Sequence, residues 1–209
     1  MAPDSNLKPT VTSAALIVVA AYLLGSISFA VVVSRAFKLP DPHEYGSGNP
    51  GATNVLRTGN KAAALLTVVG DGGKGWLAVF LAGIAASNYD VPTWVVPAAA
   101  LAVFLGHLYP VFHHFAGGKG VSTAAGIVYA LHWPLGLALM VIWSAMAIGF
   151  RISSLAALTA AALMPLGGFY FFGNSLTAWV LVPIAALLFW RHRANIRQLM
   201  QGSEKPIGR

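Results

Sequence analysis

The chain contains no cysteine, which excludes a disulfide framework, a thiolate nucleophile and any metal site built on sulfur. Acidic residues are scarce as well: Asp and Glu together number 6 in 209 residues, so paired carboxylates for acid/base or metal chemistry are hard to assemble. Charge of either sign makes up only 9% of the chain, against about 25% in soluble domains. So few polar side chains cannot cover a water-facing surface of this size. What is abundant is apolar: 57% of residues are hydrophobic, and the mean hydropathy is +0.70. The long runs come close to the ~20 residues that cross a ~30 Å hydrocarbon core as a helix. An all-α, polytopic membrane protein is expected, with residues 1–209 forming one membrane-embedded domain. The first run, Thr12 to Phe37, is too long for a signal-peptide core and lacks a small-residue cleavage site.

Apolar runs between polar or Gly/Pro breaks predict about seven spans. They are Val11–Phe37, Ala62–Ala86, Pro92–Phe112, Gly120–Leu131, Pro134–Phe150, Leu155–Phe172 and Leu176–Trp190. Gly120–Leu131 is short for a span, and Gly70–Gly75 (GDGGKG) in the middle of the second run predicts a distorted helix. The connections at Ser87–Val91, His132–Trp133 and Gly173–Ser175 hold no Lys or Arg. The remaining connections hold Arg35, Lys38, Arg57, Lys61, Lys119 and Arg151, and the C-terminal stretch adds Arg191, Arg193, Arg197, Lys205 and Arg209. Only Lys8 falls clearly on the other side, with Asp4 and Asp90. The positive-inside rule then puts the N-terminus outside and the C-terminus in the cytoplasm. It also explains the net charge of +7 without nucleic acid, which is not an expected partner.

The polar residues concentrate on the basic side. Residues 46–57 read GSGNPGATNVLR; their first half cannot be helical, and a short helix is expected from Ala52. That helix would align Asn49, Thr53 and Arg57 at i, i+4 and i+8. A Gly-rich turn (Gly46, Gly48, Gly51) entering a helix aims backbone N–H groups at an anion. Ser47, Asn49, Thr53 and Asn54 add neutral hydrogen-bonding groups, and Arg57 adds a planar fork suited to phosphate. Residues 106–123 read GHLYPVFHHFAGGKGVST, in which Gly117, Gly118 and Gly120 permit close backbone approach and Lys119 brings a point charge to a helix start. GGKG recurs at Gly72–Gly75, which suggests a second anion contact or close packing of helices. Lys74 within it is costly near the bilayer centre, by about 2.5–3.5 kcal/mol, and Asp71 one turn earlier can offset that as structural support.

Two further segments complete the set. In Arg151-Ile152-Ser153-Ser154-Leu155 the hydroxyls read as caps of a helix starting near Leu155. In residues 191–197, RHRANIR, Arg191, His192 and Asn195 can share one side of a helix, and His192 is the residue suited to proton chemistry near neutral pH. The histidines His43, His107, His113, His114 and His132 show no H-x-x-x-H pair with a carboxylate, so no metal is expected. Neither the H-x-x-x-x-D arrangement of many phospholipid acyltransferases nor the D-x-x-D-G of alcohol phosphotransferases occurs.

GSGNPGATNVLR, GDGGKG, GHLYPVFHHFAGGKGVST, RISSLA and RHRANIRQLMQGSE stand in this order, one per cytoplasmic segment. Together they resemble the bacterial membrane glycerol-3-phosphate acyltransferases that use acyl phosphate, the PlsY family, from about Gly25 to Glu204. The resemblance implies a seven-helix enzyme of the inner membrane, with its N-terminus outside and its site on the cytoplasmic face. It would move a fatty acyl group from acyl phosphate to the sn-1 hydroxyl of glycerol 3-phosphate, giving lysophosphatidate and phosphate. No cofactor and no obligatory protein partner is implied; the partners are the two substrates and the bilayer. The resemblance assigns catalytic roles to Ser47, Arg57, Lys119, Ser154 and His192. It assigns substrate contacts to Gly48, Asn49, Gly51, Thr53, Asn54, His107, Gly117, Gly118, Gly120 and Asn195. Ile152-Ser153 replaces a more usual aromatic–aliphatic pair, and Ala157 stands where a second serine is common, so Ser153 competes with Ser154. His192 or the donor's own phosphate would take the hydroxyl proton. The competing reading is a transporter of phosphate or phosphorylated metabolites, which also needs basic glycine nests but sites them near the midplane.

Overall fold

The computed structural model describes residues 7–207, with side chains from Val11; Asp4, Arg209 and the side chain of Lys8, used in the charge map, lie outside the described residues. It is all-helical there: α1 (Leu7–Gly25), α2 (Phe29–Ala36), α3 (Ala52–Leu56), α4 (Lys61–Asn88), α5 (Val95–Leu108), α6 (Val121–Leu131), α7 (Trp133–Phe150), α8 (Ser153–Phe172), α9 (Leu176–Arg191) and α10 (Arg193–Met200). By length and composition α4, α5 with its following turn, α7 and α8 can each cross a membrane. The expected span Val11–Phe37 is instead two helices, α1 and α2, meeting at 44°, and α6 and α9 are shorter apolar helices.

Helix α5 forms the centre. Val95, Ala99, Ala100, Val103, Phe104 and Leu108 are all fully buried there, joined by Ile127 of α6 and Leu181 and Ile184 of α9. The periphery is apolar but uncovered: Leu16, Val69, Val141, Ile148 and Leu166 are exposed, as lipid-facing side chains must be.

Small residues decide which helices touch. α4 is continuous over 28 residues, so the distortion expected at Gly70–Gly75 does not occur. Those glycines serve proximity instead: a Cβ at Gly75 would collide with the Thr123 carbonyl, and one at Gly126 with the Gly72 carbonyl. Gly72–Gly75 is therefore the seam between α4 and α6 rather than an anion contact. Gly25 and Gly106 do the same between α1 and α5, each set against the other helix's backbone. Gly126→Val is expected to pry α4 from α6 and lower thermal stability in detergent, whereas Gly83→Val, which meets nothing within 4 Å, should not. Equal melting of the two variants would count against the seam.

The break between α1 and α2 leaves orphan backbone groups inside an apolar bundle, where each must find a partner. Two buried charges supply them. Lys74 Nζ donates to the Ile27 carbonyl at 2.6 Å, and Asp71 Oδ1 accepts from the Phe29 N–H at 3.4 Å. The two side chains pair with each other at 2.9 Å. A cation thus sits at the C-terminal end of α1 and an anion at the first turn of α2, each the sign that the helix end favours. The supporting role expected of Asp71 and Lys74 acquires an object: they hold the bend.

Candidate active site

A cavity of about 540 Å³ opens where the polar segments converge. Its lining includes Ser47, Asn49, Gly51, Thr53, Asn54 and Arg57 from the first motif, His107 and Asp71 from the helices beneath, and Lys119 and Gly120 at the start of α6. Ser153 and Ser154 of α8, His192, Asn195 and residues 203–207 close it.

The first wall is organised around Asn54. The helix there is only Ala52–Leu56, so Asn49 precedes it and Arg57 caps its C-terminal end; the expected single face of Asn49, Thr53 and Arg57 is not helical, although all three line the cavity. Asn54 is buried, and its amide donates to the carbonyls of Pro42 (2.8 Å) and Tyr45 (3.1 Å). Its Oδ1 accepts from the Ser47 backbone N–H (3.0 Å) and from the Arg57 guanidinium (3.2 Å). Expected to touch substrate, this side chain lines the cavity and also holds the Ser47 backbone and the Arg57 guanidinium in place. Gly46 and Gly48 take left-handed φ of +60° and +65°, and a Cβ at Gly46 would strike Asn54 Oδ1. Gly48 itself does not line the cavity; its N–H closes a turn onto Tyr45 O at 2.9 Å.

The second wall is the start of α6. Gly120 caps it with φ +88°, and the first turn leaves its N–H groups without helical acceptors. Gly120, Val121 and Ser122 line the cavity beside Lys119, so the dipole end and the ammonium act on the same volume. Burial pulls the Lys119 ammonium below the ordinary lysine range, with Glu204 opposing it. Lys119 Nζ donates to Asn195 Oδ1 at 2.5 Å, and Asn195 Nδ2 donates to Glu204 Oε1 at 2.7 Å. The same Oε1 accepts from Ser154 Oγ at 2.6 Å. Glu204 therefore joins three expected site residues into one relay. Sequence reasoning missed it, although its rarity among few acids and its place at the end of the last motif were the available signals.

The two serines sit differently. α8 begins at Ser153 with Ile152 as its N-cap and no side-chain cap, so neither hydroxyl caps the helix as expected. Ser154 is buried and bonded to Glu204, whereas Ser153 is half-buried on the cavity wall.

Gly117 and Gly118 depart from expectation. They do not line the cavity; a Cβ at either would collide with His107, its carbonyl in one case and its ring in the other. Their close backbone approach is to protein. Gly118 N–H donates to His107 O at 3.1 Å, and Arg191 donates to Gly118 O (3.1 Å) and Gly117 O (2.5 Å). Arg191 is thus a staple behind Lys119, turned away from the cavity that His192 and Asn195 line.

His192 marks the corner between α9 and α10. Its Nδ1 bonds the Leu188 carbonyl at 2.8 Å, an acceptor, so Nδ1 carries the proton and Nε2 keeps a lone pair. Burial lowers its pKa to about 4, opposed by the Leu188 bond and reinforced by Lys119. The ring is neutral near pH 7.

Comparison with known proteins places the chain in a family. A family model described as glycerol-3-phosphate acyltransferase matches residues 15–202. Glycerol-3-phosphate acyltransferases of Ralstonia nicotianae and Nitrosospira multiformis are 55% and 54% identical, over 95% and 92% of this chain and 96% of each relative. That of Burkholderia ambifaria is 57% identical over 90% of this chain and 88% of its own. The crystal structure of PlsY, an integral membrane glycerol 3-phosphate acyltransferase, in its glycerol 3-phosphate form superposes with a TM-score of 0.85 at 38% identity, covering 93% of this chain and 95% of that one. Its lysophosphatidic acid form gives 0.82 at the same identity and coverage. The chain belongs to the glycerol-3-phosphate acyltransferase family, as a membrane enzyme of the PlsY type.

Proposed function

We propose that this acyltransferase takes a fatty acyl group from acyl phosphate and places it on the sn-1 hydroxyl of glycerol 3-phosphate, releasing lysophosphatidate and inorganic phosphate. The observation that carries the reading is one cavity holding Arg57 on one wall and Lys119 with the first turn of α6 on the other. Two phosphates of about −1.5 to −2 each, if they behave as phosphoserine does, must approach within one site. Two cationic walls meet that demand, and the neutral donors of Ser47, Asn49 and Thr53 line the same cavity.

In the reaction the sn-1 oxygen bonds to the acyl carbon while the bond from that carbon to the phosphate oxygen breaks. Acyl phosphate is a mixed anhydride, so its phosphate leaves without a strong acid and can take the hydroxyl proton itself. His192 Nε2 is suited to accept a hydrogen bond from the hydroxyl and orient it, while a pKa of about 4 makes it a weak store for a proton. The ionisation of His192 lies below the neutral range, so His192→Ala is expected to lower kcat while leaving the pH 5.5–8.5 profile of kcat/KM unchanged in shape. Loss of a limb near pH 6–7 would assign the proton to His192. For the acyl chain, the cavity wall continues onto Val68, Val121, Trp143 and Ala157, and Val68 is 44% exposed on the outer side of α4. A tail leaving there reaches lipid directly.

Counting α1–α2 as one bent span, and with α4 to α9, seven segments cross the membrane, N-terminus outside. The cavity then faces the cytoplasm at the inner membrane, where the basic connections are retained. The site lies at helix ends and the relatives are acyltransferases, so transport is not favoured. Purified protein with labelled glycerol 3-phosphate, offered acyl phosphate, acyl-CoA and acyl carrier protein in turn, should form lysophosphatidate from acyl phosphate alone. Turnover only with a thioester would replace the donor in this reading.

A further inference from the structure

His43 lies outside the cavity, in the loop between α2 and α3, yet it joins the cavity's two walls. Its Nδ1 is 2.7 Å from Asp41 Oδ1 and its Nε2 is 3.0 Å from the Ala116 carbonyl. On one side it stands between Pro42 and Tyr45, whose carbonyls hold Asn54 and through it Ser47 and Arg57. On the other, Ala116 directly precedes the Gly117–Lys119 segment. It bridges segments 73 residues apart in the chain.

Neither partner has a proton to give. A carbonyl only accepts, and Asp41 is held below the usual carboxylate range, first by the backbone N–H of His43 that donates to the same Oδ1 at 3.0 Å. A neutral imidazole carries one N–H and can satisfy one of the two acceptors; an imidazolium satisfies both. The charged groups around it are few. Asp41 faces it from its own loop, Arg35 of α2 acts on Asp41, and the His113 ring from the turn after α5 lies 6.1 Å away by centroids.

We propose that His43, bonded to Asp41 and to the Ala116 carbonyl at once, is a positioning residue for glycerol 3-phosphate, fixing the wall that carries Arg57 against the wall that carries Lys119. Loss of either bond lets the walls hold their separation less well. The inference rests on Arg57 and Lys119 being the phosphate-holding groups. It belongs to substrate binding rather than to the chemical step, because His43 touches neither reacting group.

The test is the KM for glycerol 3-phosphate at pH 6 in wild type, His43→Gln and His43→Arg, with acyl phosphate saturating. A glutamine cannot donate to both acceptors at their present positions, whereas an arginine stays charged with several donors. At pH 6 His43→Gln should raise KM roughly tenfold, the scale of one charge-assisted hydrogen bond, with kcat within about threefold of wild type. His43→Arg, which keeps several donors for the two acceptors, should stay within about threefold of wild type in KM. A wild-type KM for His43→Gln, or an equal rise in KM for His43→Gln and His43→Arg, would overturn the proposal. Should His43→Gln fail to elute as folded protein, His43→Asn, too short to reach both partners, takes its place in the same comparison. Failure of the underlying assignment shows separately, as an unaltered KM in Arg57→Ala and Lys119→Ala.

Discussion

Lys119→Ala is expected to lower kcat/KM by roughly 10²–10³-fold, and Arg57→Ala by a comparable factor, the range seen when one donor to a developing anion is removed. Each residue serves a separate wall and acts electrostatically. Lys119 is partly buried and follows Gly117 and Gly118, whose carbonyls are pinned by Arg191, so its backbone is held in place beside the cavity. Arg57 is aimed by Asn54 rather than by helical periodicity. Arg57→Lys should therefore recover only part of the loss, since it keeps the charge and forfeits both the fork and the bond that orients it. His113→Ala is the control: it lies outside the cavity and should remain within about twofold of wild type. The measurement is lysophosphatidate formation by protein reconstituted in nanodiscs and verified by size exclusion. Wild-type turnover in Lys119→Ala or Arg57→Ala would sink the assignment of the two walls.

How much of this was legible in the sequence depends on which force fixed each feature. Apolar runs and basic connections were readable, because hydropathy and lipid thickness set helix existence almost residue by residue. That these residues would converge was readable too, since Ser47, Asn49, Thr53, Arg57, Lys119, Ser154, His192 and Asn195 all line one cavity. What a glycine is for was not readable. Gly117 and Gly118 look like an anion nest in the sequence, and only the position of His107 reveals that they make room for protein. Gly70–Gly75 looks like a distortion, and only Phe29 and α6 reveal that its glycines make room for neighbours along an unbroken helix. Glu204 and His43 escaped because their partners lie far away in the chain, at Ser154 and Ala116, where no local pattern points to them.

Asp71 and Lys74 present the largest expected effect on the fold itself. Both are 3% exposed, and each satisfies a backbone group at the α1–α2 break as well as the other's charge. His107 Nδ1, 3.5 Å from Asp71 Oδ1, is the remaining polar neighbour. Removing one charge leaves the other buried without its partner, a loss of about 3–5 kcal/mol. Lys74→Met and Asp71→Leu should therefore each lower the temperature at which the protein survives as a monodisperse peak in detergent. The double variant removes both uncompensated charges and should be more stable than either single one, since two buried charges exchanged together for apolar groups are often nearly neutral. Activity should behave differently. In the double variant the Ile27 carbonyl and the Phe29 N–H are both orphaned, so the bend loses its tether, and Asp71 and His107 lie under the cavity floor. Turnover is expected to stay low even where thermal stability returns. A double variant no more stable than the weaker single one would show that the charges are not coupled. One that regained full activity would show that the bend needs no polar tether, leaving the pair without the role assigned to it.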